Sequence, residues 1–159
     1  MERGSLESGT IEREIHVEAS PDIVFEVISS PEHLQEWWPD EATLDPVPGA
    51  TGELVFGNDD DPRAHIAEIT VVDAEPPRLF SFRWDYPDGE AASDSNSLLV
   101  TFELAPSGSG TVVRMTETGF REKEWDVAVL EERYNDHVSG WGFFIPRLGE
   151  YVTRLVSAR

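Results

Sequence analysis

The chain contains no cysteine. Disulfides and thiolate metal sites are therefore excluded as the means of holding it together. Lysine is almost as scarce, with Lys123 the only one. Basic residues total 12 against 32 acids, a formal net charge of -20. That balance excludes nucleic acid as a partner, because a phosphate backbone requires a basic surface. It equally disfavours anionic membranes. No apolar run is long enough to span a bilayer, so membrane insertion is not expected. The segment Met1–Glu14 is polar and acidic and lacks a signal-peptide apolar core. A soluble cytoplasmic protein is the expectation. The acidity itself has two readings: a halophilic cytoplasm, where dense carboxylates keep a surface hydrated, or ordinary acidity with arginine written for lysine.

Familiar catalytic and metal signatures are also missing. There is no HExxH, GxSxG, phosphate-binding loop or dinucleotide fingerprint. His16, His33 and His137 have no zinc-like spacing. Asn58-Asp59-Asp60-Asp61 lacks the glycine and distal glutamate of a calcium loop and reads as a solvated turn. No metal and no cofactor are expected.

What the chain does have is an aromatic terminal stripe. From Gly140 to Val156, Trp141, Phe144, Ile145, Leu148, Tyr151, Val152 and Leu155 recur at spacings of three and four, one broad face of a helix. Pro146 lies inside this helix and predicts a kink. The helix is expected to begin near Arg133, after a separate helix-prone stretch over 122–132. Toward the other end, residues 1–9 read as a flexible start and Thr10–Glu18 as a strand. Ser20-Pro21-Asp22 and Ser30-Pro31-Glu32 each signal a helix start, and Pro39 ends the second helix.

Between them lie strands. Glu41–Ala50 is weakly strand-like, and Glu53–Gly57 more clearly so. In Arg63–Asp73, His65, Ala67, Ile69 and Val71 share a face. In Arg78–Tyr86, Phe80, Phe82, Trp84 and Tyr86 do, which turns Arg83 outward. Leu98, Val100, Phe102 and Leu104 line another strand. After the Pro106–Gly110 connection, Val113, Met115 and Glu117 line the last, with Arg114 facing out. The polar loop 87–96 is the candidate mobile segment. The order is strand, two helices, about six mostly antiparallel strands and a long helix. That is an α+β fold, a sheet folded around a terminal helix.

The words at both ends carry a resemblance. Val17-Glu18-Ala19-Ser20-Pro21-Asp22-Ile23-Val24-Phe25, followed by Pro31-Glu32-His33-Leu34 through Trp37-Trp38, resembles the opening of the START/SRPBCC (birch-pollen-allergen-like) superfamily. Gly119-Phe120, Gly140-Trp141, Leu148 and Tyr151 resemble one branch of it. That branch is similar to the C-terminal domain of the activator of the ninety-kilodalton heat-shock chaperone ATPase. The resemblance runs from about Ile11 to Leu155. It implies a helix-grip fold: a curved antiparallel sheet of six to seven strands around the C-terminal helix, with an apolar cavity between them. Residues 10–159 are then one domain. It supplies no universal catalytic residue, and fold alone assigns no activity.

The leading expectation is non-catalytic binding of a small hydrophobic molecule, of lipid, sterol or polyketide-like kind. Trp37, Trp38, Phe56, Phe82, Trp84, Phe102, Met115, Trp141, Phe144, Ile145 and Leu148 would wall the site, with His65 and Glu117 as polar anchors. The 87–96 loop and the region of Trp38 would gate it. The competing reading is that the same aromatics fill the space as core, with His65 and Glu117 wetted at the rim. A chaperone-cofactor role is the alternative function. A cyclase- or hydrolase-type enzyme using His65 or Glu117 as acid or base is the third. Monomer and homodimer are both open.

Overall fold

A computed structural model describes residues 3–5, 9–57, 60, 64–87 and 89–158. The strands are β1 (Arg3–Ser5), β2 (Thr10–Val17), β3 (Glu41–Thr43), β4 (Thr51–Phe56), β5 (His65–Glu75), β6 (Leu79–Trp84), β7 (Leu98–Ser107) and β8 (Gly110–Thr118). The helices are α1 (Pro21–Ser29), α2 (Pro31–Trp37) and α3 (Val127–Ser157). All eight strands form one antiparallel sheet in the order β1-β2-β8-β7-β6-β5-β4-β3. Every neighbour is thus a hairpin partner except β2, which crosses over α1 and α2 to the far side of the meander and pairs with β8.

The alternation read from sequence sets the faces. Leu98, Val100, Phe102 and Leu104 of β7 are buried, as are Val113 and Met115 of β8 and Phe80, Phe82 and Trp84 of β6. Arg83 and Arg114 lie on the other face, Arg83 bound to Asp94 at 2.9 Å and Arg114 beside Glu14 at 3.9 Å. Such exposed pairs add little to stability. The apolar face is covered by α1, α2 and α3. Ser20 caps α1, its hydroxyl accepting from Ile23 N at 3.4 Å, and Phe25 meets Phe80 edge-on at 6.1 Å. From α2, the fully buried Trp37 donates its indole N–H to the Val27 carbonyl at 3.0 Å and meets Phe102 edge-on. The stripe of α3 buries Leu130, Tyr134, Trp141, Ile145, Leu148 and Val152. Two polar contacts tie α3 to β2: Tyr134 OH donates to the Thr10 carbonyl at 2.8 Å, and Arg13 donates to the Val138 carbonyl at 3.0 Å. This is the α+β helix-grip arrangement.

The structure corrects several boundaries. There are eight strands because Arg3–Ser5, within the stretch read as flexible, pairs along the edge of β2; residues 1, 2 and 6–8 lie outside the described residues. The strand expected over Glu41–Ala50 is only Glu41–Thr43, since Pro46 and Pro48 cannot donate to a ladder. No separate helix spans 122–132. Glu124 sits in the left-handed region at φ 57, Asp126 caps in extended geometry, and one 31-residue helix then starts at Val127. The reason is Leu130 and Tyr134, whose spacing of four extends the buried stripe a further three turns upstream of Trp141. The helix runs on through Pro146. Within the aspartate run only Asp60 is described; in the 87–96 loop, Asp88 is not.

One glycine marks a close approach. A Cβ on Gly110 would sit 2.1 Å from the Val17 carbonyl oxygen, where the β7–β8 hairpin turns past the end of β2. Gly110→Ala is expected to cost about 1–3 kcal/mol, as overpacking does. A urea midpoint unchanged from wild type would contradict that contact.

Candidate functional site

Where β4 and β6 end and β5 begins, against the first half of α3, the sheet and the helix part. Between them is a cavity of about 600 Å³. That size lies in the range of small-molecule sites. Its lining comes from five places: Trp38 just past α2, Phe56 of β4, His65 and Ile66 of β5, Trp84 and Asp85 at the end of β6, and Arg133, Asp136, His137, Gly140, Trp141 and Phe144 of α3. Indole and phenyl rings form the inner wall. Trp38 is the hub, with its ring 5.0 Å from Trp84, 5.1 Å from Trp141, 5.7 Å from Phe82 and 5.8 Å from Phe56. His65 stacks on Phe56 at 5.0 Å. The charged residues Asp85, Arg133 and Asp136 complete the lining.

Behind this wall is a buried carboxylate. Glu117 of β8 is 0 % exposed. Its Oε2 accepts the indole N–H of Trp84 at 2.8 Å; its Oε1 accepts that of Trp141 at 2.8 Å and meets His137 Nδ1 at 2.8 Å. Indole N–H groups can only donate, so both oxygens act as acceptors. One carboxylate therefore fixes two rings of the cavity wall and the imidazole beside them, drawing together β6, β8 and α3. Burial alone would oppose a charge on His137. The adjacent Glu117, by charge and hydrogen bond, with Asp85 and Asp136, outweighs this and raises its pKa above the ordinary value. Asp85 also turns through φ 65, a left-handed conformation uncommon for a side-chain-bearing residue, with its N–H donated to the Glu68 carbonyl at 3.0 Å.

Of the residues singled out from sequence, Trp38, Phe56, His65, Trp84, Trp141 and Phe144 line the cavity together. Trp37, Phe82, Phe102, Met115, Ile145 and Leu148 do not; they are buried in the core beneath it. Glu117 is neither wet at a rim nor open to the cavity: its oxygens are committed to the wall itself. His65 and Glu117 therefore do not face one another across the cavity as an acid–base pair. The described residues of the 87–96 loop do not line it either. Arg83 holds that loop through Asp94, and Asn96 donates to the Ala91 carbonyl and accepts from Ser93 N. Ile66, Asp85, Arg133, Asp136, His137 and Gly140 were missed. The available signal for four of them was helical: Arg133, Asp136, His137 and Gly140 precede Trp141 and Phe144 at spacings of three and four.

Comparison with known proteins decides the family. Residues 18–153 match the family of Activator of Hsp90 ATPase homolog 1-like proteins. The chain belongs to that family. Solved structures of the same fold include protein MLL2253 from Mesorhizobium loti, at 20 % identity and TM-score 0.72, with 91 % of this chain and 97 % of that one covered. The Aha1 dimer from Colwellia psychrerythraea gives 17 % identity, TM-score 0.70, and coverage of 90 % and 95 %. DynU16, a protein in the dynemicin biosynthetic locus, gives 19 % identity and TM-score 0.69; 91 % of this chain matches 47 % of that one. At these identities the likeness establishes the fold. No curated protein matches the chain. In this Activator of Hsp90 ATPase homolog 1-like protein, the cavity is walled by aromatic rings, two of them tied from behind by one buried carboxylate. No helix among the described residues is long and apolar enough to cross a membrane.

Proposed function

We propose that residues 10–159 act as a ligand-binding domain that takes a small, largely apolar molecule into the cavity between sheet and α3. The observation that carries this reading is the wall. Trp38, Trp84, Trp141, Phe56 and Phe144 surround about 600 Å³ of space, and two of the indoles are fixed from behind by Glu117. A side-chain set that served only as core would close on itself, because interiors pack at crystal-like density. Flat apolar molecules of polyketide or sterol kind, and lipids, match such a surface. DynU16 belongs to a biosynthetic locus, which is consistent with that ligand class.

The test is thermal melting against fatty acids, sterols, flavonoids and polyketide-like aromatics. A ligand at a hundred times its Kd adds about 2.7 kcal/mol, a rise of roughly 5–10 °C for a chain of this size. A saturable rise for one chemical class, lost in Trp84→Ala, is the expected result; no rise with any class contradicts the proposal. Repeating the screen in molar salt addresses the net charge of -20 separately: a large rise in Tm would support the halophilic reading.

The family match carries a second reading, a chaperone cofactor, monomeric or dimeric like the Aha1 protein above. Stimulation of a heat-shock ATPase by the purified chain, unaffected by Trp84→Ala, would favour it over the cavity.

A further inference from the structure

Taking the cavity as the ligand site proposed above, we propose that His137 accepts a proton there through Nε2, and that the cavity selects neutral aromatic molecules bearing an acidic hydroxyl, phenol or enol. The imidazole is locked on one side. Its Nδ1 lies 2.8 Å from Glu117 Oε1, and that oxygen also receives the Trp141 N–H. A carboxylate acceptor places the imidazole proton on Nδ1, so the neutral ring presents a lone pair at Nε2. Among the described residues Nε2 has no hydrogen-bond partner, while the ring lines the cavity and is 15 % exposed. Trp84 at 5.6 Å and Phe120 at 5.2 Å fix its plane.

The charges around it decide the ligand class. Glu117 reaches His137 from β8, Asp85 from the end of β6, and Asp136 and Arg133 from α3; His65 of β5 lines the same cavity, and Lys123 interacts with Asp85 and Arg133. Three carboxylates against Arg133 and the imidazole disfavour a ligand that enters as an anion. They favour one that enters neutral and gives up its proton inside. In that step the ligand O–H bond breaks, its electron pair stays on oxygen, and the proton joins the Nε2 lone pair. The resulting imidazolium is held by Glu117 through Nδ1–H. The raised proton affinity of His137 acts in the same direction.

The test uses two probes of matched shape, 1-naphthol and its hydroxyl-free counterpart naphthalene. Both are titrated at a pH above the folded-state pKa of His137, located first by proton–nitrogen spectra of the free protein so that Nε2 is unprotonated, and below the point where free 1-naphthol ionises. The expected result is binding of both, with bound naphthol at least about tenfold more ionised than free, as an adjacent opposite charge produces. The naphtholate absorption band reports it directly. His137→Gln, whose amide can still donate to Glu117, is expected to bind both probes without the ionised band. Long-range proton–nitrogen spectra of the wild-type protein give a second readout: Nε2 becomes protonated with naphthol and stays unprotonated with naphthalene. Binding of both probes without ionisation, or ionisation that persists in His137→Gln, overturns the role of His137 and leaves the cavity reading standing. Binding of neither overturns the ligand class, and the cavity reading then rests on the melting screen above.

Discussion

Glu117→Gln is expected to destabilise the protein by about 2–3 kcal/mol, the cost of leaving a buried donor unmatched. A chain of this length then melts roughly 5–10 °C lower. The amide has one acceptor where the carboxylate had two. With its oxygen at the Oε1 position it can still receive Trp141 and His137, but its NH2 then faces the Trp84 N–H, donor against donor. The reversed orientation leaves two donors unmatched and is worse. Since the residue is fully buried, water cannot supply the missing acceptor. A Glu117→Gln protein that melts with the wild type would show that the three contacts carry no stability.

The same cluster predicts a pH dependence. The folded-state pKa of His137 is raised above its unfolded value of 6.5 by Glu117, Asp85 and Asp136, against the opposing effect of burial. A raised pKa means the folded state holds the proton more tightly. The stabilisation is therefore fully present below 6.5 and is lost as pH rises through the folded-state pKa. Melting curves of wild type and His137→Gln should converge with rising pH over that window. A difference that stays constant across it contradicts the assignment.

The second large effect is expected from Trp38→Ala. Five aromatic rings surround this side chain: Trp37, Phe56, Phe82, Trp84 and Trp141. Removing a buried indole costs about 3–5 kcal/mol, on the order of 10 °C in Tm. It also merges the cavity with the void left behind, so probes that bind the wild type should bind at least about tenfold more weakly. Trp38→Phe keeps a ring at the hub and should retain most of both properties. If Trp38→Ala melts like the wild type and binds the same probes, Trp38 is not the hub of the wall.

How much of this was legible in the sequence depends on the range of the interaction. Alternation placed Phe82, Trp84, Phe102, Met115 and Glu117 on inward faces, because a strand has a strict period of two. Ser20-Pro21 and Ser30-Pro31 marked helix starts because capping is local. The start of α3 was misplaced because Glu124 and Asp126, inside the helix-prone stretch 122–132, hold non-helical backbone, and only Leu130 and Tyr134 packing on the core reveals where the helix begins. Glu117 could be placed on its face but not read further. Its three partners lie 33, 24 and 20 residues away on β6 and α3, and nothing local announces them. His137 was dismissed for want of metal spacing, yet its chemistry comes from one carboxylate on a different strand. The split of the aromatics between wall and core depends on where α3 departs from the sheet, which is a property of tertiary packing.

Gly140 offers the most direct test that the space between sheet and α3 receives a ligand. It lines the cavity, and a Cβ added there meets no atom within 4 Å. Gly140→Leu therefore fills the site from a helix interior, where replacing glycine by a better helix former is worth up to about 1 kcal/mol. The measurement is a fluorescence titration of N-phenyl-1-naphthylamine into wild type and Gly140→Leu, with the Tm of each. Saturable binding to the wild type is expected, with at least about tenfold weaker binding to a Gly140→Leu protein whose Tm is equal or higher. Equal binding to both proteins, with the variant folded, would place the ligand elsewhere and contradict binding in that space.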